Sequence, residues 1–205
     1  MTMKNKGLLI VFSGPSGAGK DTILKKLLEK NPNVRLSVSA TTRQPREGEV
    51  HGRDYYFVDR DEFIRMTQQD EMIESAEYCE NFYGTPRKPI DNWLANGDDV
   101  ILEIEVQGGS QIKNKCPDSV SIFILPPSLA ALEQRLKDRG TESEEAIQKR
   151  LAVARNEILE AVHYDYAVIN DTVDHAVDEI IHIICAEKHK VKRDNLLIER
   201  ILNHA

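Results

Sequence analysis

The sequence predicts an α/β protein: a parallel sheet of the phosphate-loop type flanked by helices, with an inserted α+β unit and a helical lid. Three observations predict it. An apolar run at residues 8–12 leads into Gly14-Pro15-Ser16-Gly17-Ala18-Gly19-Lys20 and then a helical pattern over residues 21–29. Further apolar runs at residues 99–106, 120–125 and 165–170 alternate with helical patterns, as in parallel sheets that bind ligands at the strand carboxyl ends. Between the first and second of these core segments, residues 38–88 mix short strand and helix patterns of their own.

Strand, G-x-x-x-x-G-K, helix is a phosphate-binding loop. Its glycines let backbone N–H groups turn inward on phosphate oxygens. The positive helix end adds to the field, and Lys20 is placed to reach the β- and γ-phosphates. A Ser or Thr usually follows this lysine and ligates Mg²⁺; here Asp21 holds that place and Thr22 comes next. Asp suits a first helical turn, and a carboxylate is also a hard Mg²⁺ ligand. Thr22 does not simply replace it, because adjacent helical residues point about 100° apart. The residues leave both readings of Asp21 open.

The 205 residues suit one core with small insertions, and 40% hydrophobic with 30% charged residues is an ordinary globular composition. A formal net charge of −7 argues against a general nucleic-acid binder, but not against a small anionic substrate met by local arginines. No apolar run is long enough to span a bilayer, and the polar N-terminus runs straight into the first strand, so a membrane or secretory role is not expected. Cys79, Cys116 and Cys185 are far apart with no C-x-x-C spacing; they read as packing residues of a reduced, cytoplasmic protein. The histidines show no metal-ligand spacing, and nothing specifies an oligomeric state.

Residues 31–33, Asn-Pro-Asn, break the first helix. A strand is expected over residues 35–39, then a polar stretch dense in arginine (Arg43, Arg46, Arg53), then a strand over 55–58. Asp59 and Glu62 form a capping box for a helix to about residue 69; residues 72–78 read as a strand and 81–85 as a turn. A helix around 90–95 stops at Asn96-Gly97. In the run 99–106, Glu103 and Glu105 stand at i and i+2, hence on one face. Unpaired carboxylates are costly in a core strand, so two near its carboxyl end point to a site beside the phosphate loop. After a helix over 108–115, a helical hairpin is expected. Its first arm ends at Arg139-Gly140, and its second is opened by a box of Thr141 and Glu144 and runs to about 162. It carries Arg135, Arg139, Arg150 and Arg155; the first two share a helix face. A helix over 173–188 follows, and the apolar period of residues 190–203 is expected to pack on the body. The organisation is then core (1–37), insert (38–88), core (89–127), lid (128–160), and core with C-terminal helices (161–205).

Beyond the loop, SVSATTRQPREGEVHGRDYYFV, MIESAEYCENFYGTP, ILEIEVQG and LEQRLKDRGTESEEAIQKRL follow one another in an order that closely resembles guanylate kinase, over residues 7 to about 188. The resemblance implies phosphoryl transfer from ATP to GMP, giving ADP and GDP, with Mg²⁺ accompanying ATP. It implies that Ser39, Arg43, Arg46, Tyr55 and Tyr83 hold the GMP phosphate, for which forked arginine donors are well suited. It implies that Glu74 and Thr85 read guanine: a carboxylate accepts from N1–H and N2–H₂ together, whereas adenine turns a lone pair toward it. Glu103 and Glu105 match an acidic pair, one near the guanine or ribose and one near the metal's water shell. Arg135, Arg139 and Arg150 match lid arginines that steady the transferring phosphoryl, one of them also lying against the adenine. Asn170 matches a contact to the adenine edge, and Arg155 is suggested by position alone. ATP is expected on the loop from Gly14 to Lys20, with Asp21 and Thr22. Two other readings compete. A kinase for another nucleoside monophosphate needs a different base-reading pair, and a catalytically weak binding module of the same fold usually has a degraded phosphate loop, which is intact here.

Overall fold

The computed structural model describes residues 6–78, 80–138, 143–193 and 197–203. Arg139, Gly140 and Thr141 of the expected hairpin, and Cys79, lie outside the described residues.

Alternation along the first strand builds the core. β1 (Leu9–Ser13) is buried along its whole length. Ile10 and Phe12 point to one apolar cluster and Leu9 and Val11 to another, as the two-residue period of a strand covered on both faces requires. The first cluster is closed by α1 (Lys20–Lys30), through Ile23, Leu24 and Leu27, and by α7 (Val173–Lys188). The second is closed by Ile90 and Leu94 of α3 (Arg87–Ala95) and Ile112 of α4 (Val106–Lys115). Around β1 lie β2 (Val34–Leu36), β7 (Asp99–Glu103), β8 (Val120–Leu125) and β9 (Tyr166–Ile169). They form a five-stranded sheet, β2-β7-β1-β8-β9, in which every pairing is parallel. All its strand carboxyl ends therefore open on one edge.

A second sheet, β4-β3-β6-β5, is built by β3 (Ala40–Thr41), β4 (Tyr56–Phe57), β5 (Met72–Tyr78) and β6 (Asn81–Pro86). α2 (Arg60–Gln68) covers it, capped by Asp59, whose carboxylate accepts from the Glu62 N–H at 2.7 Å. α5 (Leu129–Asp138) packs on α6 (Glu144–Leu159) around Leu132, Leu136, Ile147 and Leu151.

Five local expectations are corrected. Residues 81–85 are not a turn but most of β6, paired antiparallel with β5. Gly84 there is a close-packing residue: a Cβ would lie 2.9 Å from the Glu74 carbonyl oxygen. The strand expected at 35–39 is shorter and earlier: β2 ends at Leu36, residues 37–39 belong to no strand, and β3 then begins the second sheet at Ala40. β7 ends at Glu103, and Glu105 stands at the N-cap of α4, so the two acids do not share a strand face. Ser143 caps α6, accepting from the Ala146 N–H. Finally, in α8 (Leu197–Asn203) the apolar residues Ile198, Ile201 and Leu202 are not packed away: they are 54–69% exposed. The tail is tied down earlier, at Glu187, which is buried and accepts from Tyr166 Oη, Lys190 and Arg193. Burial acts to raise this carboxyl, but those donors outweigh it and hold it at about 2.

Candidate active site

The phosphate loop is held from behind. Asn170, just after β9, donates Nδ2 to the Ala18 carbonyl at 2.7 Å, and Arg135 of α5 donates to the same oxygen at 3.2 Å and to the Asn170 carbonyl at 2.8 Å. Gly19 has φ 91°, and a Cβ there would stand 2.4 Å from Asn170 Nδ2; only glycine fits both the backbone and the clamp. Lys20 Nζ folds over its own loop onto the Gly14 carbonyl at 2.7 Å. Ser13 Oγ donates to the Ile104 carbonyl at 2.7 Å, locking the end of β1 to the turn between Glu103 and Glu105.

Two cavities open at this edge. The first, about 350 Å³, lies between the two sheets and is lined by Ser39, Tyr55, Glu74, Tyr83, Glu103 and Gly108, among others. The second, about 390 Å³, lies between the loop and α6, with Ser16, Gly17, Gly19, Thr22, Arg150 and Glu157 on its wall. Lys20, Asp21 and Glu105 line both. The two chambers share one wall, and it carries a lysine flanked by two carboxylates.

In the first chamber Glu74 is 5% exposed and accepts from Thr85 Oγ1 at 2.6 Å. Burial pushes its carboxyl up, and the Thr85 hydrogen bond and the charge of Lys115 oppose this only in part. Burial likewise raises Glu103, with Lys20 opposing and Asp21 and Glu105 adding to the rise. Glu157 is raised by burial and then by Glu105. The edge is thus strained toward neutrality and poised for cations.

The structure gathers most of the expected residues, some in other roles. Thr85 is fully buried behind Glu74 and acts on the chamber through it. Asn170 and Arg135 are on neither wall; in this arrangement they support the loop. Arg150 reaches Ser16 Oγ at 3.3 Å. Arg155 is exposed and on neither wall. Arg46 is exposed and contributes its backbone N–H to Glu49 at 2.7 Å.

Glu49 is a residue that sequence reasoning missed. It takes both arms of Arg43, Nη1 at 3.0 Å and Nη2 at 2.9 Å, while Nη1 also donates to the Gln44 carbonyl at 2.7 Å. Of the five guanidinium hydrogens, these contacts leave Nε–H and one on Nη2 for a further acceptor. Arg43 also lies 5.4 Å from the Tyr55 ring centroid, and Glu49 first, then Tyr83, favour its charged form. Glu49 therefore aims a second, adjacent fork of Arg43. Glu49→Gln is expected to raise KM for the phosphate-bearing acceptor about tenfold with little change in kcat; an unchanged KM would show that Arg43 is held by its other contacts. The available signal was an acid within an arginine-dense loop. Glu157 was also missed, although Arg150, Val153 and Glu157, on one wall, follow helical i, i+3, i+7 spacing.

Comparison with known proteins agrees with this geometry. The guanylate kinase family model matches residues 6–187. A guanylate kinase of Desulfitobacterium hafniense (strain Y51) is 54% identical over 190 residues, covering 93% of this chain and 95% of the relative. One from Caldanaerobacter subterraneus subsp. tengcongensis is 51% identical over 201 residues, 98% of each. The crystal structure of guanylate kinase from Anaplasma phagocytophilum superposes with a TM-score of 0.75 at 40% identity, over 93% of this chain and 90% of that one. A loop built for phosphate, an adjoining chamber with a buried carboxylate, and near-complete coverage by these relatives converge: the chain belongs to the guanylate kinase family.

Proposed function

We propose that this chain transfers the terminal phosphoryl group of ATP to GMP, with ATP in the loop–α6 chamber and GMP in the chamber between the sheets. The observation that carries this division of labour is the shared wall. Lys20, Asp21 and Glu105 border both chambers, so a group leaving one is received in the other without crossing solvent.

In this reading Glu74, held by Thr85, accepts from guanine N1–H and N2–H₂. The free fork of Arg43 takes the GMP phosphate with Tyr55, Tyr83, Ser39 and Arg46. That phosphate oxygen is already anionic, so the attack needs no general base. Lys20 and Arg150 stabilise charge on the transferring phosphoryl as the P–O bond to the leaving diphosphate breaks and the bond to the GMP phosphate oxygen forms. Arg139 is assigned the same role by its place in the chain, and Arg135 steadies the loop from behind. Closure of the lid and the second sheet keeps water from the reacting phosphate.

Among the described residues no three His, Cys, Asp or Glu side chains converge to hold a metal. With a nucleotide, Mg²⁺ is usually held by phosphate oxygens and water with one or two carboxylates. Asp21 and Glu105, both on the shared wall, are the donors of suitable chemistry. When bound with ATP, Mg²⁺ supplies charge neutralisation at the phosphate oxygens. Asp21→Ala, which leaves no donor at this position, is expected to raise the Mg²⁺ concentration for half-maximal rate about tenfold and leave KM for GMP unchanged; an unaltered Mg²⁺ requirement would reduce Asp21 to a helix-end acid.

The function is tested by measuring ADP release from ATP·Mg²⁺ with GMP, AMP, UMP and CMP offered separately. Turnover with GMP alone is the expected result. Turnover with AMP would overturn the base-reading role of Glu74, and GMP binding without turnover would favour a binding module.

A further inference from the structure

A third cavity, about 480 Å³, shares no wall residue with the two chambers. Gly7, Leu8 and Leu9 reach it at the start of β1 and Ser119 just before β8. It therefore opens at the amino edge of the parallel sheet, a strand length of about 15 Å from the phosphate loop. It is larger than the 350 Å³ chamber assigned to a nucleotide.

Its lining is amphipathic. Leu8, Ile73, Ile90 and Leu94 contribute apolar surface, and Lys6, Arg87, Lys115, Lys192 and Arg193 contribute five cations against only Asp91 and Asp118. In a chain of formal net charge −7, that local excess is against the trend. Arg87 is engaged with Asp70, Arg193 with Glu187 and the Asp118 carbonyl, and Lys115 with the Ile73 carbonyl at 2.9 Å. Lys6 and Lys192 are exposed and form no salt bridge with a described residue.

A second observation points to a ligand independently. Ser119, 5% exposed, stands on this wall with its hydroxyl oxygen buried and without a hydrogen-bond partner, and Arg193 Nε on the same wall is also buried and unpartnered. A buried hydroxyl left unpaired is costly, a cost that a bound acceptor would recover. The family match ends at residue 187, so two of the five cations, Lys192 and Arg193, come from beyond it.

We propose that this cavity is a second ligand site, for a small anion with an apolar or aromatic body. Its charged group, a phosphate ester or a carboxylate, sits among Lys6, Lys192 and Arg193, and rotation about the Ser119 Cα–Cβ bond turns the buried hydroxyl to donate to it. Its body lies against Leu8, Ile90 and Leu94. The site also borders the GMP chamber: Lys115, on its wall, holds the carbonyl of Ile73, the residue before Glu74, and its charge acts on the Glu74 carboxyl. An anion that draws Lys115 away weakens guanine binding. This coupling rests on the guanine-reading role of Glu74; the binding site does not.

The test uses the full chain with its active site saturated by GMP and ADP. 1-Naphthyl phosphate, 1-naphthoate and the neutral 1-naphthalenemethanol are titrated by calorimetry. One-to-one binding of at least one anion is expected, weakened about tenfold in the double variant Lys6→Glu/Lys192→Glu and about threefold in Ser119→Ala, with basal kcat and KM unchanged in the lysine variant. The phosphate and carboxylate arms tell the two ligand chemistries apart. Equal binding of the neutral alcohol, equal binding by wild type and the lysine variant, or no binding of either anion overturns the site. An anion that binds but leaves KM for GMP unchanged overturns the coupling.

Discussion

Glu74→Gln is expected to lower kcat/KM for GMP about a thousandfold while making the protein more stable at neutral pH. The loss follows from chemistry: an amide in place of the carboxylate offers only one acceptor to two guanine donors and turns an N–H₂ toward one of them, the kind of buried mismatch that discriminates by several orders of magnitude. The gain follows from linkage. Burial raises the folded-state carboxyl of Glu74 above its ordinary value, so its neutral form is favoured in the folded chain. The stability that this group contributes is fully present below its unfolded pKa of about 4.3 and is lost as pH rises through the folded value. Gln carries no such penalty. Melting temperature against pH should show the variant ahead of wild type at pH 7 and the two converging in acid. The same shift predicts that wild-type kcat/KM for GMP declines on the acid side at a pH above the usual carboxylate range. A Gln variant that keeps its GMP activity would remove Glu74 from base recognition.

Lys20→Ala is expected to reduce kcat about a thousandfold, the scale for removing one preorganised electrostatic contact to a transition state. The fold should hardly notice. The ammonium donates to the Gly14 carbonyl, a contact worth about 1 kcal/mol, and the loop keeps its clamp from Asn170 and Arg135. Single-turnover phosphoryl transfer, read beside an unchanged melting temperature, separates catalysis from folding. A kcat within tenfold of wild type would mean that the shared wall works without its lysine.

Much of this molecule is local enough to be read along the chain. The bounds of β5, β8 and α7 are those that the apolar periods and their stop residues predict, because each is decided by which residues must be buried and where the chain can turn. The phosphate loop is legible for a stronger reason: glycine spacing, lysine and helix start are all consecutive. The residues proposed to bind guanine and the GMP phosphate are legible only through the family resemblance. By residue chemistry alone Glu74 is one acid in a strand, and its meaning comes from its burial and from Thr85, eleven positions on.

The sequence by itself determined the parallel α/β class and the loop. Tertiary structure decided the rest. β6 looked like a turn because Asn81 and Gly84 are turn residues; it is a strand because β5 lies beside it and Gly84 lets their neighbours close in. Glu105 looked like a strand residue until β7 ended before it and α4 began. Asn170 and Arg135 turned toward the Ala18 carbonyl, 152 and 117 residues away along the chain. The meeting of two chambers at Lys20, Asp21 and Glu105 depends on where two sheets and a lid come to rest. Periodicity reports which face of an element is buried; it does not report which distant side chain arrives to meet it.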